Sequence, residues 1–91
     1  MVEKGHYVYL LKCNDGTFYV GYSTDLARRV REHNVSPKGA KYTRGRRPVV
    51  LAYYVAHESR SEALKHEHVL RKKSRLEKEK LVEAFEGNLD I

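Results

Sequence analysis

Residues 6–23 read HYVYLLKCNDGTFYVGYS, a pattern that predicts an antiparallel β-hairpin. Residues 6–12 and 18–23 are rich in β-branched, aromatic and aliphatic side chains, which favour strands. Between them, Asn14-Asp15-Gly16 is a strong turn signal because these residue types tolerate the backbone angles of tight turns. This part of the chain is therefore expected to form two paired strands.

The register of this hairpin places two tyrosines on one face of the sheet. A five-residue turn pairs Lys12 with Phe18 at the strand ends. In this register Tyr9 lies opposite Gly21, and Tyr19 points to the same face as Tyr9, because side chains alternate along a strand. A glycine weakens a strand, so Gly21 either lets a substrate approach closely or merely eases local twist. Taken alone, the tyrosines are equally well explained as good strand formers.

A helix is predicted directly after the hairpin. Thr24 or Asp25 can cap this helix, which runs to about Asn34. Leu26 and Val30 lie four residues apart and supply its buried stripe.

The middle of the chain is predicted to be a loop followed by a strand and a second helix. Residues 34–48 lack apolar periodicity and contain two prolines and two glycines, which indicates a loop. A loop of this length in a small domain is usually functional or mobile. Residues 49–55 form a near-continuous apolar run, which predicts a strand buried on both faces and central in the sheet. Ser61 then opens a helix to about Lys73.

The C-terminal segment is predicted to be a third helix. Residues 74–77 form a capping-box pattern that starts this helix over residues 75–86. Its apolar positions are Leu76, Leu81, Val82 and Phe85. Gly87 ends the helix, and residues 87–91 form a tail. The element order β-β-α-β-α-α predicts an α+β domain, with helices flanking a three-stranded antiparallel or mixed sheet.

Length and composition indicate a single basic domain. The 91 residues form one domain, 1–91, because there is no room for a second core. Cys13 is the only cysteine, which excludes an internal disulfide and fits a reducing compartment. With no long apolar run or signal-type leader, we expect a cytoplasmic protein that does not enter membranes. The net charge of +6 favours nucleic acid as a partner. The alternative is a basic surface kept for solubility.

Two residues of the first helix are candidates for phosphate chemistry. Arg29 and His33 are four apart, so they share one helical face beside the Leu26 and Val30 stripe. An arginine at the core edge can present a fixed fork to a phosphate, and a histidine can move protons near neutral pH. The alternative is a solvated basic face.

A glutamate in the second helix is the sharpest anomaly. On a helical wheel for residues 61–73, Glu67 falls near the centre of an apolar stripe formed by Ala63, Leu64 and Leu70. A carboxylate that faces the core is costly unless it is paired or bound to a cation. Glu67 is therefore either a buried ion-pair partner, for example of an arginine, or a metal ligand lying over the sheet.

The predicted loop is basic. Cations and one aromatic side chain surround Gly39 and Gly45 in this loop: Lys38, Lys41, Tyr42, Arg44, Arg46 and Arg47. Such a mixture suits binding along a nucleic-acid backbone, with Tyr42 available for stacking. Residues 71–73 and Arg75 would extend the same surface. The alternative is a solvated loop.

Taken together, the motifs resemble those of the GIY-YIG nuclease superfamily, most closely its minimal single-domain bacterial and archaeal members. The resemblance covers about residues 6–75, with Tyr7-Val8-Tyr9 and Tyr19-Val20-Gly21 as the two name-giving triplets. The family's catalytic arginine falls on Arg29, its metal-binding glutamate on Glu67, and a histidine that some members use on His33.

Two positions depart from the pattern of the superfamily. Tyr7 stands where the first triplet has glycine, which leaves Tyr9 in place. Tyr22 stands where some repair nucleases of the family carry lysine, which affects the expected choice of substrate more than the chemistry.

The resemblance implies an endonuclease that hydrolyses DNA phosphodiester bonds with one divalent cation, Mg²⁺ or Mn²⁺, held by Glu67. It implies selection of DNA structure rather than sequence. The catalytic residues it implies are Tyr9, Tyr19, Arg29, His33 and Glu67. The expected protein is a monomer or weak dimer that binds DNA, with a protein partner as a possible source of targeting. The alternative is a non-catalytic nucleic-acid-binding module or accessory domain that retains the fold.

Overall fold

The computed structural model describes residues 5–87 and residue 89. The elements, in chain order, are β1 (His6–Lys12), β2 (Phe18–Ser23), α1 (Leu26–Val35), α2 (Lys41–Arg44), β3 (Val50–His57), α3 (Arg60–Lys72) and α4 (Arg75–Ala84). The predicted α+β class is confirmed, with one short helix, α2, added to the predicted order.

The hairpin has the predicted register. Lys12 pairs with Phe18, and Tyr9 lies opposite Gly21. The turn between the strands closes through Gly16, whose φ of 84° lies in the left-handed region that favours glycine. The carboxylate of Asp15 accepts hydrogen bonds from the backbone N–H and the hydroxyl of Thr17. Turn chemistry and strand composition therefore act together to set this register.

The order of strands in the sheet differs from the prediction. The order is β2-β1-β3 with antiparallel pairing, so β1 is central and β3 lies at an edge. Five consecutive residues of β1 are buried, whereas β3 begins at Val50, which is 57% exposed. An apolar run shows only that a strand is largely covered. The two helices α3 and α4 contact β3 and bury much of it, although it has a strand on one side only.

Helices cover both faces of the sheet and create two hydrophobic clusters. On one face, Leu26 of α1 packs with Tyr9, Leu11 and Val49. On the other face, α3 and α4 pack against the hairpin. The residues of this second cluster are Val8, Leu10 and Val20 of the hairpin, Ala63 and Leu70 of α3, and Leu81 and Val82 of α4. The sheet thus separates the tyrosine face from the face covered by α3.

Capping side chains set the starts of the long helices. Asp25 caps α1 by accepting a hydrogen bond from the backbone N–H of Arg28. Ser59, two residues before the predicted Ser61, caps α3. Ser74 and Glu77 form the predicted capping box of α4.

The end of α4 differs from the prediction. The helix ends at Ala84, with Phe85 as its C-cap, rather than at Gly87. The ring of Phe85 packs against Tyr53 and Tyr54, whereas Leu76, predicted as an apolar contact, is 60% exposed. Packing of Phe85 on β3 therefore takes the chain out of the helix before the glycine is reached.

The predicted loop is partly helical. Helix α1 continues to Val35, and residues 41–44 form the single turn α2. A four-residue helix is too short to produce apolar periodicity, which is why the sequence pattern does not reveal it. Its consequence is that Thr43 is completely buried.

Two predictions about the ends of the chain stand apart from the described structure. Residues 88, 90 and 91 of the predicted tail lie outside the described residues. The division of the chain into a single domain with a tail stays a prediction.

Within the described part of the chain, none of the helices combines the length and apolarity that crossing a membrane requires.

Candidate active site

Tyr9 lies at the floor of the candidate site. Its side chain is 1% exposed, and its ring lies across Gly21 on the neighbouring strand. A Cβ atom at position 21 would overlap this ring. Gly21 therefore gives room to Tyr9, a role that differs from both of the roles expected from sequence, which were substrate approach and relief of twist.

A chain of hydrogen bonds runs from Tyr9 to helix α2. The hydroxyl of Tyr9 is 3.0 Å from Nε2 of His33, and Nδ1 of His33 is 2.9 Å from the hydroxyl of Thr43. The hydroxyl of Thr43 donates its own proton to the carbonyl of Ala40, at 2.9 Å. It must therefore accept from Nδ1–H of His33, which leaves Nε2 as an acceptor for the hydroxyl of Tyr9.

Burial keeps both members of the Tyr9–His33 pair neutral. Burial, with the charge of Arg29 adding to it, lowers the pKa of His33 from 6.5 to about 4. Burial also raises the pKa of Tyr9 above its ordinary value, and the smaller opposing effect of Arg29 does not cancel it. At neutral pH the structure thus holds a neutral imidazole that accepts a hydrogen bond from a neutral phenol. This shift of the Tyr9 pKa is opposite to the one that would favour a phenolate.

Arg29 is held beside Tyr9 by contacts with two elements of the chain. Its guanidinium donates to Oε1 of Glu32 at 3.0 Å and to the carbonyl of Lys38 at 2.8 Å. Its charge acts on the hydroxyl of Tyr9, whose pKa it lowers. The side chain remains 24% exposed, so a fixed cation borders the solvent at this place.

Aromatic rings continue from His33 toward the predicted basic loop. The ring of Tyr19 lies 5.0 Å from that of His33 and 6.0 Å from that of Tyr42. The guanidinium of Arg46 covers the ring of Tyr42, at 3.9 Å from its centroid. Tyr19 therefore links the buried pair to the surface.

Glu67 lies on the helix that covers the opposite face of the sheet from Tyr9. It belongs to α3, which packs on the face opposite Tyr9, and its side chain is 18% exposed. Its carboxylate pairs with Arg71 at 3.4 Å. Its charge raises the pKa of Tyr9 less than burial and Tyr19 do. The structure therefore brings Tyr9, Tyr19, Arg29 and His33 into one cluster, and Glu67 lies outside it on α3.

The helical wheel overestimated the apolar stripe around Glu67. Ala63 and Leu70 are buried, but Leu64 is 38% exposed, so Glu67 lies at the margin of the packed face rather than at its centre. Of the two interpretations left open by the sequence, an ion pair with an arginine is present, but it lies at the surface and is not buried as predicted. Because Arg71 is 56% exposed, this pair is weak and leaves the carboxylate able to take another partner.

The donor set around Glu67 fits a hard cation. Among residues 5–87 and 89, no group of three or more His, Cys, Asp or Glu side chains could hold a metal ion. Zinc sites need three or four such ligands, whereas Mg²⁺ is commonly held by one or two carboxylates together with water. A single partly exposed carboxylate such as that of Glu67 could therefore take part in a water-rich Mg²⁺ site but not in a zinc site.

Three arginines of the predicted basic loop have partners within the protein. Arg47 donates to the carbonyls of His33 and Ser36, at 2.5 and 2.6 Å, which satisfies the C-terminal end of α1. Arg46 pairs with Asp15 at 3.0 Å. Arg44 donates to the carbonyl of Pro37.

The two lysines of this loop are more exposed than Arg46 and Arg47, and the exposed Arg44 is engaged by the carbonyl of Pro37. Lys38 and Lys41 are both exposed to solvent. They, with the partly exposed Tyr42, are the residues of the predicted set best placed to meet a ligand.

One residue of this region, Thr43, and the structural role of a second, Arg47, were not predicted from the sequence. Thr43 carries no sequence signal, because its contact with His33 requires the turn α2. The structural role of Arg47 could have been suspected, since the last carbonyls of a helix need donors and α1 ends in a loop rich in arginine.

Comparison with known proteins defines the class to which this fold and cluster belong. Residues 5–80 match the sequence profile of the GIY-YIG catalytic domain. The chain belongs to the GIY-YIG family, as the resemblance predicted, and has its nuclease-type fold.

Several similar proteins of known sequence carry the name UPF0213. One from Halobacterium salinarum is 51% identical over 76 residues, which cover 84% of this chain and 97% of that protein. One from Staphylococcus haemolyticus is 47% identical over 78 residues, which cover 86% of this chain and 94% of that protein. These names specify no reaction.

Two solution NMR structures share the fold. A protein from E. faecalis is 46% identical, covers 94% of this chain with 93% of its own length, and superposes with a TM-score of 0.62. The UPF0213 protein from Bacillus halodurans is 49% identical, with a TM-score of 0.55 and coverage of 87% of this chain and 83% of its own. The three-stranded α+β architecture is thus common to these proteins.

Proposed function

We propose that this protein is an endonuclease that hydrolyses phosphodiester bonds of DNA with a divalent cation, Mg²⁺ or Mn²⁺. We further propose that it selects DNA structure rather than sequence. The observation that carries the proposal is the hydrogen-bonded pair of Tyr9 and His33 beside the fixed guanidinium of Arg29. This arrangement combines a proton acceptor with a phosphate-binding cation, as hydrolysis of a phosphodiester requires.

Arg29 is proposed to bind the scissile phosphate. Its side chain is held by Glu32 and by the carbonyl of Lys38, so little rotamer entropy is lost when a phosphate binds. Negative charge that builds up on the phosphate in the transition state would be stabilised by this fixed cation.

Tyr9 and His33 are proposed to remove the proton of the attacking water together. The oxygen of Tyr9 would take the water proton while the proton of Tyr9 passes to Nε2 of His33, along the existing 3.0 Å hydrogen bond. This transfer avoids a free phenolate, which the raised pKa of Tyr9 disfavours. Because Arg29 lowers the pKa of His33, a phosphate that neutralises Arg29 would make His33 a better acceptor.

Glu67 and Tyr19 are proposed to complete the site. Glu67 is the residue that would hold the cation, with water as the remaining ligands. The chemistry that the cation supplies when bound is neutralisation of charge on the scissile phosphate and on the leaving oxygen. Tyr19, whose ring contacts His33, would orient the phosphate or the water.

The exposed lysines of the loop are proposed to guide the DNA backbone. Lys38 and Lys41 with Tyr42 would contact the strand near Arg29. The arginines of the loop, which have internal partners, would then mainly fix its shape.

We propose a cytoplasmic protein that acts as a monomer or weak dimer, with a protein partner supplying any targeting.

One observation favours the alternative of a binding module without catalysis. Tyr9 is 1% exposed, and its hydroxyl is already hydrogen-bonded to His33. Water must reach this oxygen if Tyr9 is to act, so a site that stays closed would bind DNA without cutting it.

A cleavage assay tests the proposal. Single-stranded, flapped and branched DNA are incubated with wild type, Tyr9→Phe, Arg29→Ala and Glu67→Ala, in Mg²⁺ and in chelator. Each substitution is expected to reduce cleavage by at least about 100-fold, the order of a lost proton acceptor or charge-stabilising group. Arg31→Ala, an exposed arginine of the same helix, serves as the matched control and should retain activity.

Two outcomes would contradict the enzyme assignment. Equal residual cleavage in wild type and all variants would identify a contaminating nuclease. DNA binding by the wild type with no cleavage of any substrate would leave the binding module as the function.

A further inference from the structure

A cleft opens beside Tyr19 at the outer edge of the sheet. Its volume is about 370 Å³, and it is lined by Phe18, Tyr19, Val20, Tyr42, Arg71 and Lys78. Strand β2 is an edge strand, so successive residues that point to opposite faces can all border one cleft there. The volume lies within the range of roughly 300–1,000 Å³ that is usual for small-molecule sites.

The lining of the cleft combines aromatic walls with cations. Phe18, Tyr19 and Tyr42 supply aromatic surface, and Arg71 and Lys78 supply positive charge, while none of the described residues that line the cleft is acidic. Aromatic rings stack on nucleobases of any sequence, and cations bind the attached phosphates. This chemistry selects a nucleotide over an uncharged aromatic molecule or an acidic peptide, because the latter two satisfy only one half of the lining.

The Tyr42 side of the cleft is ordered before a ligand binds. The guanidinium of Arg46 covers the ring of Tyr42 at 3.9 Å, and Arg46 is itself fixed by the carbonyl of Tyr42 and by Asp15. Tyr42 is nevertheless 39% exposed. An ordered but accessible ring loses little entropy when a base stacks against it.

Tyr19 belongs to both the cleft and the candidate active site. Its ring is 5.0 Å from His33 on one side, and it lines the cleft on the other. A strand whose phosphate lies at Arg29 would therefore bring a neighbouring nucleotide to the cleft. A base that is paired and stacked in a duplex is not free to enter such a cleft, so only an unpaired base would fit.

We infer that this cleft binds an unpaired nucleobase of a DNA strand next to the phosphate held at Arg29, with Arg71 and Lys78 contacting the adjoining backbone. The inference rests on the proposed function for the position of the scissile phosphate. It names the substrate feature that the site selects, which is an unpaired nucleotide.

Binding measured in the absence of divalent cations tests this inference separately from cleavage. Fluorescence anisotropy in chelator is recorded with labelled oligothymidylate, an abasic strand of the same length and a blunt duplex. The two single strands carry the same phosphate charge, so their difference measures the bases. Wild type is expected to bind the abasic strand at least about fivefold more weakly, which is the order of one lost stacking contact.

Matched variants assign this difference to the cleft. Tyr42→Ala is expected to remove most of the preference for the strand with bases. Lys78→Gln should weaken both single strands by about the same factor, because it removes a phosphate contact. Lys80→Gln, an exposed lysine of the same helix that does not line the cleft, should bind both strands more tightly than Lys78→Gln does.

The outcomes separate failure of the cleft from failure of the nuclease. Equal affinity for the two single strands, or equally tight binding of the blunt duplex, would overturn the inference whether or not the protein cuts DNA. Tighter binding of oligouridylate than of oligothymidylate would overturn the choice of DNA. A clear preference for bases that depends on Tyr42, in a wild type that does not cleave, would support the cleft and reject the proposed catalysis.

Discussion

At the scale of single residues, the buried tyrosine on the central strand depends on small neighbours. Gly21 leaves space for the ring of Tyr9, and Thr43 accepts a hydrogen bond from the histidine that Tyr9 contacts. Neither residue would be recognised as part of a site from its own chemistry. Each acts by fixing where another side chain lies, which makes its role testable by small substitutions.

The first prediction concerns the space above Tyr9. Gly21→Ala is expected to lower the free energy of unfolding by about 1–3 kcal/mol, because the new methyl group overlaps a buried ring. Gly45→Ala is the matched control, since its Cβ would meet nothing within 4 Å and its φ is −87°. Urea denaturation of both variants measures the difference. Equal stability of the two would show that Tyr9 has another place to lie.

The second prediction concerns the tautomer of His33. Thr43→Val keeps the size of the side chain but removes the acceptor for Nδ1–H, so His33 is expected to lose its single tautomer. Imidazole nitrogen NMR should then show a mixture of tautomers, and cleavage should fall about tenfold, the order of one hydrogen bond. Thr43→Ser retains the hydroxyl and should show both the single tautomer and the cleavage rate of the wild type. An unchanged nitrogen spectrum in Thr43→Val would contradict the assignment.

The third prediction concerns the pH dependence of stability. The pKa of His33 is lowered from 6.5 to about 4 in the folded protein, so the unfolded chain binds this proton more readily. The contribution of His33 to stability is therefore complete above pH 6.5 and is lost as the pH falls toward 4. The expected slope is at most about 1.4 kcal/mol per pH unit.

Comparison with His33→Gln isolates this contribution, because the carboxylates whose pKa values are lowered, such as Glu32, remain in both proteins. Urea denaturation from pH 4 to pH 7 should give the wild type the steeper dependence. Parallel curves for the two proteins would show that His33 does not titrate in this way.

At the scale of elements, arginines of the loop connect segments that are distant in sequence. Arg47 joins the loop to the end of α1, and Arg46 joins it to the hairpin turn through Asp15. The loop is therefore part of the support of the site, since it also carries Thr43 and the carbonyl that holds Arg29.

The fourth prediction follows from the position of Arg47. Arg47→Gln is expected to lower the free energy of unfolding by about 1–3 kcal/mol, because carbonyls at the end of α1 lose a charged donor. Arg31→Gln removes the same charge from an exposed position of α1 and should change stability by less than about 0.5 kcal/mol. Thermal and urea denaturation measure both. A stable Arg47→Gln protein with weakened DNA binding would instead support the interpretation of Arg47 as a ligand-binding residue.

At the scale of the whole molecule, the protein is basic and some of its cations border the edge strand β2. The net charge is +6, and cations from the loop, α3 and α4 lie near the candidate site and the cleft. Such a distribution attracts a polyanion over distances of about the Debye length, roughly 8–10 Å at physiological salt. Binding should therefore depend on ionic strength and on which lysines border the path of the strand.

The fifth prediction measures this dependence. For single-stranded DNA, each neutralised phosphate contributes about 0.7 to the slope of the logarithm of affinity against the logarithm of salt concentration. Lys41→Gln is expected to reduce the slope by about this amount. Lys65→Gln, an exposed lysine of α3 outside the loop, should leave it unchanged. Identical slopes for the two variants would indicate that the loop does not contact the backbone.

Local signals in the sequence determined the hairpin with its register, the capping box of α4 and the placement of Tyr9 and Tyr19 on one face. Turn residues, alternation and caps act within a few positions along the chain, so they can be read without the fold. They do not determine which strand is central, because an apolar run only reports that a strand is covered.

Only the tertiary structure decided the order β2-β1-β3, the burial of His33 against Thr43, the use of Arg47 at the end of α1 and the position of Glu67 at the margin of the packed face of α3. Each of these depends on contacts between residues far apart in the chain. Side-chain volume, hydrogen-bond satisfaction and helix placement settle such contacts together, and no single stretch of sequence contains that information.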